Sequence, residues 1–499
     1  MPDLLSLEDY RALANEISLP QASHIDGGYH SCSGAELIST NPATGAVLAK
    51  FAMANEDDVS FAVAKARDAF DSGVWAKLHP SARKATMIKL AKLIRRNHHQ
   101  MAVMESLDSG KPVADCAGID VEEAINTIIW HAEAIDKIYD DVAPSGNDAM
   151  ALIVREPIGV VACVLPWNFP LLMLAWKIGP ALAAGNSVII KPAEQTPLTA
   201  LYLAQLAAEA GIPRGVFQVL VGDGPTTGEP LGRHMDVDMI SFTGSTETGK
   251  RFLSYAADSN MKQVTLECGG KNPAIVMDDA SELESVAAHI ANGAFWNLGQ
   301  NCSAISRLII HKDVKDAVLE KLRHHVKEWR QGDPLDPANK LGVLIDASHQ
   351  AKVQSYLDHA DSEKIAIVAK SRHDGIGPVI FEVESHDSLL ARDEIFGPVL
   401  VVITVSSFDE AVQIANQTEY GLTASLFTSN IKHAINGARA IKAGTVTVNS
   451  YGEGDITTPF GGYRQSGFGG RDNGLAAHDQ FTEVKTIWLD MGDNAADDI

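Results

Sequence analysis

Hydrophobic positions keep two periods along this chain, and the changes of period divide it. From Glu56 to about Tyr139 the pattern is helical. Val121, Ile125, Ile128, Ala132, Ile135 and Tyr139 recur at steps of three and four and mark one buried face, with Asp120 as the cap before it. The period then shortens. Residues 159–165, Gly-Val-Val-Ala-Cys-Val-Leu, read as a strand buried on both faces, and residues 186–191, 216–221 and 239–243 repeat the signal. Helical patterns at Leu198–Ala210 and Thr246–Ala257 lie between and after them. Such alternation predicts a mostly parallel sheet with helices on both faces, which binds ligands at the carboxyl ends of its strands.

After Gly270 the alternation restarts. Residues 274–277, 308–311, 399–405 and 445–448 read as strands, and 281–298, 314–329 and 409–416 as helices, which predicts a second α/β unit with its own sheet. Residues 483–489, Glu-Val-Lys-Thr-Ile-Trp-Leu, alternate as a strand that wants a partner edge, one that another subunit could supply. Residues 1–55 read as an irregular arm with a turn at Asn41-Pro-Ala-Thr-Gly45. One apolar run, Ile158 to Trp176, is long enough to suggest a membrane span, but Pro166 and Pro170 break it, and a buried strand, turn and helix are expected instead.

Composition narrows the picture. A chain of 499 residues exceeds what one core supports, so two or three domains are expected. A net charge of −23 repels phosphate backbones and argues against a nucleic-acid partner; part of that charge is assigned to a solvated tail, Asp490–Ile499. The cysteines, Cys32, Cys116, Cys163, Cys268 and Cys302, are odd in number and lack framework spacing, and the N-terminus has no basic n-region; both point to a reducing cytoplasm. No His or Cys pair has metal-ligand spacing, so no catalytic metal is expected.

The candidate chemistry centres on Phe295-Trp-Asn-Leu-Gly-Gln-Asn-Cys302-Ser-Ala and on Leu266-Glu267-Cys-Gly-Gly-Lys-Asn-Pro273. A trigonal aldehyde carbon releases hydride poorly. Adding a thiolate makes a tetrahedral alkoxide that can expel it toward a nicotinamide, and a carboxylate can then direct water onto the resulting thioester. Cys302 has small and polar neighbours that suit access, whereas Cys163 lies inside a strand run and Cys268 is a weaker rival. Glu267 is the candidate base, closing the strand Val264-Thr-Leu266 ahead of two glycines. Asn168, in Pro166-Trp-Asn-Phe-Pro170, either satisfies its own turn or donates to the alkoxide together with the Cys302 N–H. Thr243-Gly244-Ser245-Thr-Glu-Thr-Gly249 follows a strand and opens a helix, a place for a pyrophosphate. Lys191 and Glu194 could bond ribose hydroxyls, and a carboxylate there favours NAD over NADP. The residues alone leave two rivals open, a cofactor-free cysteine hydrolase and a non-catalytic dinucleotide binder.

Together these stretches resemble the NAD(P)-dependent aldehyde dehydrogenase superfamily over nearly the whole chain. Leu107-Asp-Ser-Gly-Lys-Pro, Lys191-Pro-Ala-Glu, Glu394-Ile-Phe-Gly-Pro and Pro459-Phe-Gly-Gly join the motifs already quoted, in order and at matching spacing. The resemblance implies an α/β aldehyde dehydrogenase fold, with a Rossmann-like cofactor domain, a second α/β catalytic domain and a small oligomerisation sheet. The corresponding ranges are 1–139 with 159–267, then 268–480, and 140–158 with 481–499. It implies Cys302 as nucleophile, Glu267 as general base and Asn168 as oxyanion donor. Trp167, Lys191, Glu194, Gly244, Ser245, Gly249, Glu394 and Phe396 would hold NAD, with NADP as the alternative, and the subunit would form homodimers or homotetramers. Phe169, Leu172, Met173, Trp176 and Tyr451-Gly-Glu453-Gly-Asp455 are similar to bacterial enzymes oxidising γ-glutamyl-γ-aminobutyraldehyde and related ω-aminoaldehydes in polyamine breakdown. Glu453 and Asp455 would receive a cationic or amide tail between aromatic walls. Trp296, Asn301 and Ser303 depart from that pattern, and Trp296 and Asn301 join the expected pocket. A broad aliphatic aldehyde dehydrogenase is the alternative.

Overall fold

The computed structural model describes residues 3–371 and 375–492, so most of the acidic tail lies outside the described residues. Two open sheets carry the chain. In the first, five parallel strands run in the order Gln263–Glu267, Met239–Thr243, Val160–Val164, Ser187–Lys191, Phe217–Val219. The chain begins the parallel part of this sheet at Val160–Val164, builds outward to one side, then returns to the other. The strand order therefore reverses between Val160–Val164 and Met239–Thr243, which is where such a sheet opens a crevice. The helix Pro170–Ala184 is buried along its whole length, as the broken apolar run predicted, and no helix among the described residues is long and apolar enough to cross a membrane.

The second sheet has the order Ala366–Lys370, Val379–Glu382, Val399–Val405, Ile305–His311, Asn272–Val276, Thr423–Phe427, Thr445–Val448, parallel except at its first pair. Only Cys268 to Lys271 separate the last parallel strand of the first sheet from the first strand of the second. The carboxyl edge of one sheet is thereby tied to the amino edge of the other, and the catalytic candidates gather at this seam.

Several expectations need correction. Residues 1–55 are not an irregular arm: they form the helix Leu7–Glu16, capped by Ser6, and four short strands. Ser23–Ile25 extends the first sheet antiparallel to Phe217–Val219, while Glu36–Thr40 and Val47–Ala52 make a hairpin around the expected Asn41–Gly45 turn. Runs of three residues are too short to show a period. Tyr139 is 79% exposed and lies past the helix Val121–Ala134, although Val121, Ile125, Ile128, Ala132 and Ile135 are buried. Asp120 caps nothing; it sits in a π turn continuous with that helix and pairs in the core with Lys111. The inner strand Thr423–Phe427 escaped detection because Thr-Ala-Ser-Leu-Phe includes small residues with weak strand preference. The terminal strand Thr482–Asp490 finds its partner within the chain, antiparallel to Ala149–Pro157, with Asp141–Ala143 beyond. Gly467–Phe468, in the range expected for the second unit, instead edges the first sheet.

Candidate active site

Strand register assembles the site. Thr243 stands opposite Glu267, and Phe242 opposite Val164, so three strands end level at the crevice. Their continuations, Pro166-Trp167-Asn168, Gly244-Ser245 and Cys268-Gly269, line one cavity of about 250 Å³ together with Cys302, Glu267, Met173, Trp176, His349, Glu394, Phe396 and Asp472. Of the five cysteines, all free, Cys302 alone is not buried. Cys163 lies fully in the core as expected; Cys268 borders the cavity but is 4% exposed, and burial pushes its thiol up to about 12.

The Cys302 loop is held under strain. Asn297, Leu298 and Gly299 take left-handed conformations in succession (φ 51°, 55° and 68°), which only a well-supported loop sustains. The support is specific. Asn272 Nδ2 donates to the carbonyls of Cys302 (2.7 Å) and Ala304 (3.0 Å), clasping the loop to the second sheet. Asn297 Nδ2 donates to the Asn168 carbonyl at 3.1 Å, and Gln300 Oε1 accepts the Ile345 N–H at 3.0 Å. Asn168 Nδ2 donates to the Gln300 carbonyl at 3.0 Å. That bond uses one N–H of the amide and fixes its plane, so the turn reading and the donor reading are compatible: a primary amide carries a second N–H.

Glu267 is 7% exposed, and its Oε2 has no hydrogen-bond partner among the described residues. Burial, then repulsion from Asp472, push its carboxyl well above the usual range, with Lys177 and Arg471 opposing. Asp472 is neutralised by Lys177 Nζ at 2.7 and 3.0 Å, a buried pair beneath the cavity floor. The Cys302 thiol is likewise driven well up by burial and by Glu453, Glu394 and Glu267.

The dinucleotide candidates split. Trp167, Gly244, Ser245, Glu394 and Phe396 border the cavity; Lys191, Glu194 and Gly249 do not. Ser245 caps the helix Thr246–Ala257, presenting its N-terminus. A Cβ on Gly244 would come 2.6 Å from the Phe242 ring, so the backbone there needs glycine. Glu394 accepts the Gly270 N–H at 2.9 Å, and Phe396 packs edge-on against Trp167 at 5.3 Å. Thr243 Oγ1, facing the same crevice, is buried without a partner among the described residues. An aromatic slot, a helix N-terminus, a carboxylate and an unpaired hydroxyl fit a ring, a pyrophosphate and ribose hydroxyls. Lys191 ends its strand with Nζ bonded to the Pro192 carbonyl and 3.5 Å from Glu194.

The substrate candidates also split. Met173 and Trp176 border the first cavity. Leu172, Trp176, Trp296, Tyr451, Glu453 and Asp455 line an adjoining cavity of about 210 Å³ on the far side of Trp176. Phe169 and Asn301 line neither: Phe169 packs on Trp296 at 5.0 Å, and Asn301 Nδ2 donates to the Tyr451 hydroxyl at 3.1 Å. Asp455 is exposed and spends its carboxylate on Thr457. The sequence reading passed over Asn272, Asn297, Lys177, Asp472, His349 and Lys352. Asn272 alone gave a usable signal, a polar residue opening an apolar strand.

Comparison with known proteins agrees with this geometry. Residues 29–487 match the aldehyde dehydrogenase family. The chain is 56% identical to an aminoacetaldehyde dehydrogenase of Pseudomonas aeruginosa, covering 98% of this chain and 100% of that one. It is 45% identical to the NADP/NAD-dependent aldehyde dehydrogenase PuuC of Escherichia coli, over 96% and 97%. The indole-3-acetaldehyde dehydrogenase AldA of P. syringae, solved as a mutant in complex with NAD+ and IAA, superposes with a TM-score of 0.96 at 44% identity, over 97% and 100%. By these matches the chain belongs to the aldehyde dehydrogenase family.

Proposed function

We propose that this enzyme oxidises an amine-derived aldehyde to its carboxylic acid with Cys302 as nucleophile, Glu267 as general base and Asn168 as oxyanion donor. The observation that carries the reading is that the one accessible thiol shares a cavity with a buried carboxylate, one oxygen of which has no partner among the described residues, and a clamped amide. Cys302 Sγ adds to the aldehyde carbon as its proton leaves toward Glu267. The alkoxide takes up the second N–H of Asn168, already aimed by its bond to Gln300. When bound, the oxidised nicotinamide supplies the acceptor for the hydrogen and electron pair that this carbon gives up. Glu267 gives the thiol's proton up to solvent and then removes a proton from water as it attacks the thioester; the C–S bond breaks, and Glu267 returns that proton to the departing sulfur, restoring the thiol. A carboxyl raised by burial is suited to hold and release these protons near neutral pH.

Trp167, Gly244, Ser245, Glu394 and Phe396 would hold the nicotinamide and pyrophosphate side, and Lys191, Glu194 and Gly249 the adenosine side. The Glu194 carboxylate favours NAD over NADP. The amine-derived substrate is supported by the acidic, aromatic second cavity and by the name of the Pseudomonas aeruginosa relative. The protein is expected to act in the cytoplasm as a homo-oligomer. Its free thiols support the first. The second is supported by the outer strand Thr482–Asp490, where Val484 and Trp488 are 67% and 64% exposed, and a light-scattering mass of 53.4 kDa would refute it. NADH formation with a panel of amino and aliphatic aldehydes tests the activity; C302A is expected to abolish it, and an active C302A enzyme would overturn the mechanism.

A further inference from the structure

Glu453 is the feature that the mechanism leaves unused. It lies deeper than the other acidic groups of the second cavity. Glu123 and Asp455 stand exposed at the rim, where solvent and salt weaken any ion pair. Glu453 is partly buried, and its carboxylate is fixed from the nucleophile's own loop. The Ser303 hydroxyl donates to Glu453, and it also meets the Tyr451 hydroxyl at 3.2 Å. Asn301 stands on the other side of Cys302, bonded to the same tyrosine. The residues flanking the nucleophile are thus both wired into the Tyr451–Glu453 stretch. Hydroxyl and amide groups hold this carboxyl while burial pushes it above the usual carboxylate range, and no Lys, Arg or His forms an ion pair with it among the described residues. Trp176, Trp296 and Leu172 wall the space before it.

We propose that Glu453 is the anionic seat for the ammonium group of a short aminoaldehyde bound at Cys302, and that its position beside the nucleophile selects a short spacer between amine and carbonyl. The proposal rests on the amine-derived reading above and adds to it the residue and the length. Reach decides the length. Ser303 is the next residue to Cys302, about 3.8 Å along the backbone, and its hydroxyl bonds Glu453, so the carboxylate lies near enough to the nucleophile for a short aminoaldehyde to span the two. A longer chain carries its ammonium past Glu453 to the exposed rim. A desolvated carboxylate between aromatic walls also holds an ammonium more strongly than the rim does. Occupation has a second effect: the negative charge nearest the thiol is neutralised while the substrate is present, which eases formation of the thiolate.

The test compares the native enzyme with E453Q on aminoacetaldehyde, its uncharged isostere propionaldehyde, and a five-carbon ω-aminoaldehyde against hexanal. E453Q is expected to lose about 10- to 100-fold in kcat/KM for aminoacetaldehyde, to show no loss on propionaldehyde, where removing a charge that raises the Cys302 thiol favours the reaction, and to keep its ratio on the long pair. An equal loss on propionaldehyde makes Glu453 a support of the Cys302 loop and overturns the proposal, as does no loss or an equal loss on the long amine. A catalysis-independent arm labels Cys302 with 2-aminoethyl methanethiosulfonate, which transfers its aminoethylthio group and releases methanesulfinate, against the neutral methyl reagent, with C302A as the blank. The native enzyme is expected to favour the cationic reagent and E453Q to lose that preference; an unchanged preference refutes the seat. Should the native enzyme oxidise amino and plain aldehydes alike while the labelling preference holds and falls in E453Q, the amine-derived substrate fails and the seat stands.

Discussion

Lys177→Met tests how the cavity floor sets the base. Lys177 and Asp472 have side chains 1% and 2% exposed and lie 2.7 Å apart. Removing one partner of such a pair strands a buried charge, at a cost of about 3–5 kcal/mol. Gln480 Nε2 still donates to Asp472 at 3.2 Å, so the cost falls at the low end, about 3 kcal/mol, and melting drops by on the order of 5–10 °C. The catalytic consequence is separate. Burial raises Glu267 most, then Asp472, with Lys177 opposing. Without Lys177 the carboxyl keeps its proton to higher pH. Because the base acts only when deprotonated, the acid limb of kcat moves up, and activity below it falls about tenfold for each pH unit of that move. In the double variant Lys177→Met/Asp472→Asn both charges go, and since Asp472 raises Glu267 more than Lys177 lowers it, the limb should move below that of the native enzyme. The assay is kcat against pH, with the NADH burst separated from the steady state that reports thioester hydrolysis. Single and double variants shifting in the same direction would refute the account.

Two further outcomes follow from the same geometry. Glu267→Gln should abolish steady-state turnover yet raise the melting temperature at pH 8. A carboxyl whose pKa is raised by folding costs stability once pH exceeds its unfolded value, so the gain should fade as pH falls toward 4.5, which thermal melts across pH can check. Gly299→Ala places a Cβ 2.2 Å from the Gly397 carbonyl in a left-handed residue. It should cost about 1–3 kcal/mol and, by displacing Cys302, lower kcat on the order of 10²-fold; a normal rate and melt would show that the loop tolerates reshaping.

The patterning was legible wherever an element was long and its sides differed. The helices Leu198–Ala210 and Thr246–Ala257 and the strands Met239–Thr243 and Val399–Val405 lie where apolar spacing puts them. It failed where burial on every side removed the contrast or the element was brief. Thr423–Phe427 lies between two strands of the second sheet, one in from its edge, yet reads as a loop, because neighbours on both sides cover it and its small residues carry no period. Asp120 shows a different failure: an acid before a helical run predicts a cap, but the backbone keeps winding through a π turn, and the carboxylate is spent on Lys111, at a separation no local pattern encodes.

The site shows the same division one level higher. Cys302, Glu267 and Asn168 could be singled out because each breaks an apolar context, a local property. What makes them a site is register: Thr243 level with Glu267, Phe242 level with Val164, and a linker of four residues too short to let the two sheets part. The residues that tune the chemistry, Lys177 and Asp472, lie 295 positions apart and look like any buried lysine and loop aspartate until the fold joins them. Glu453 lies between these cases. Its loop reads as solvated acid, and only its bond to Ser303, 150 residues away, separates it from Asp455 two positions on. Two carboxylates of one short loop thus acquire different chemistry from depth alone, the exposed one screened by water and the inner one left with an unpaired charge at the nucleophile's side.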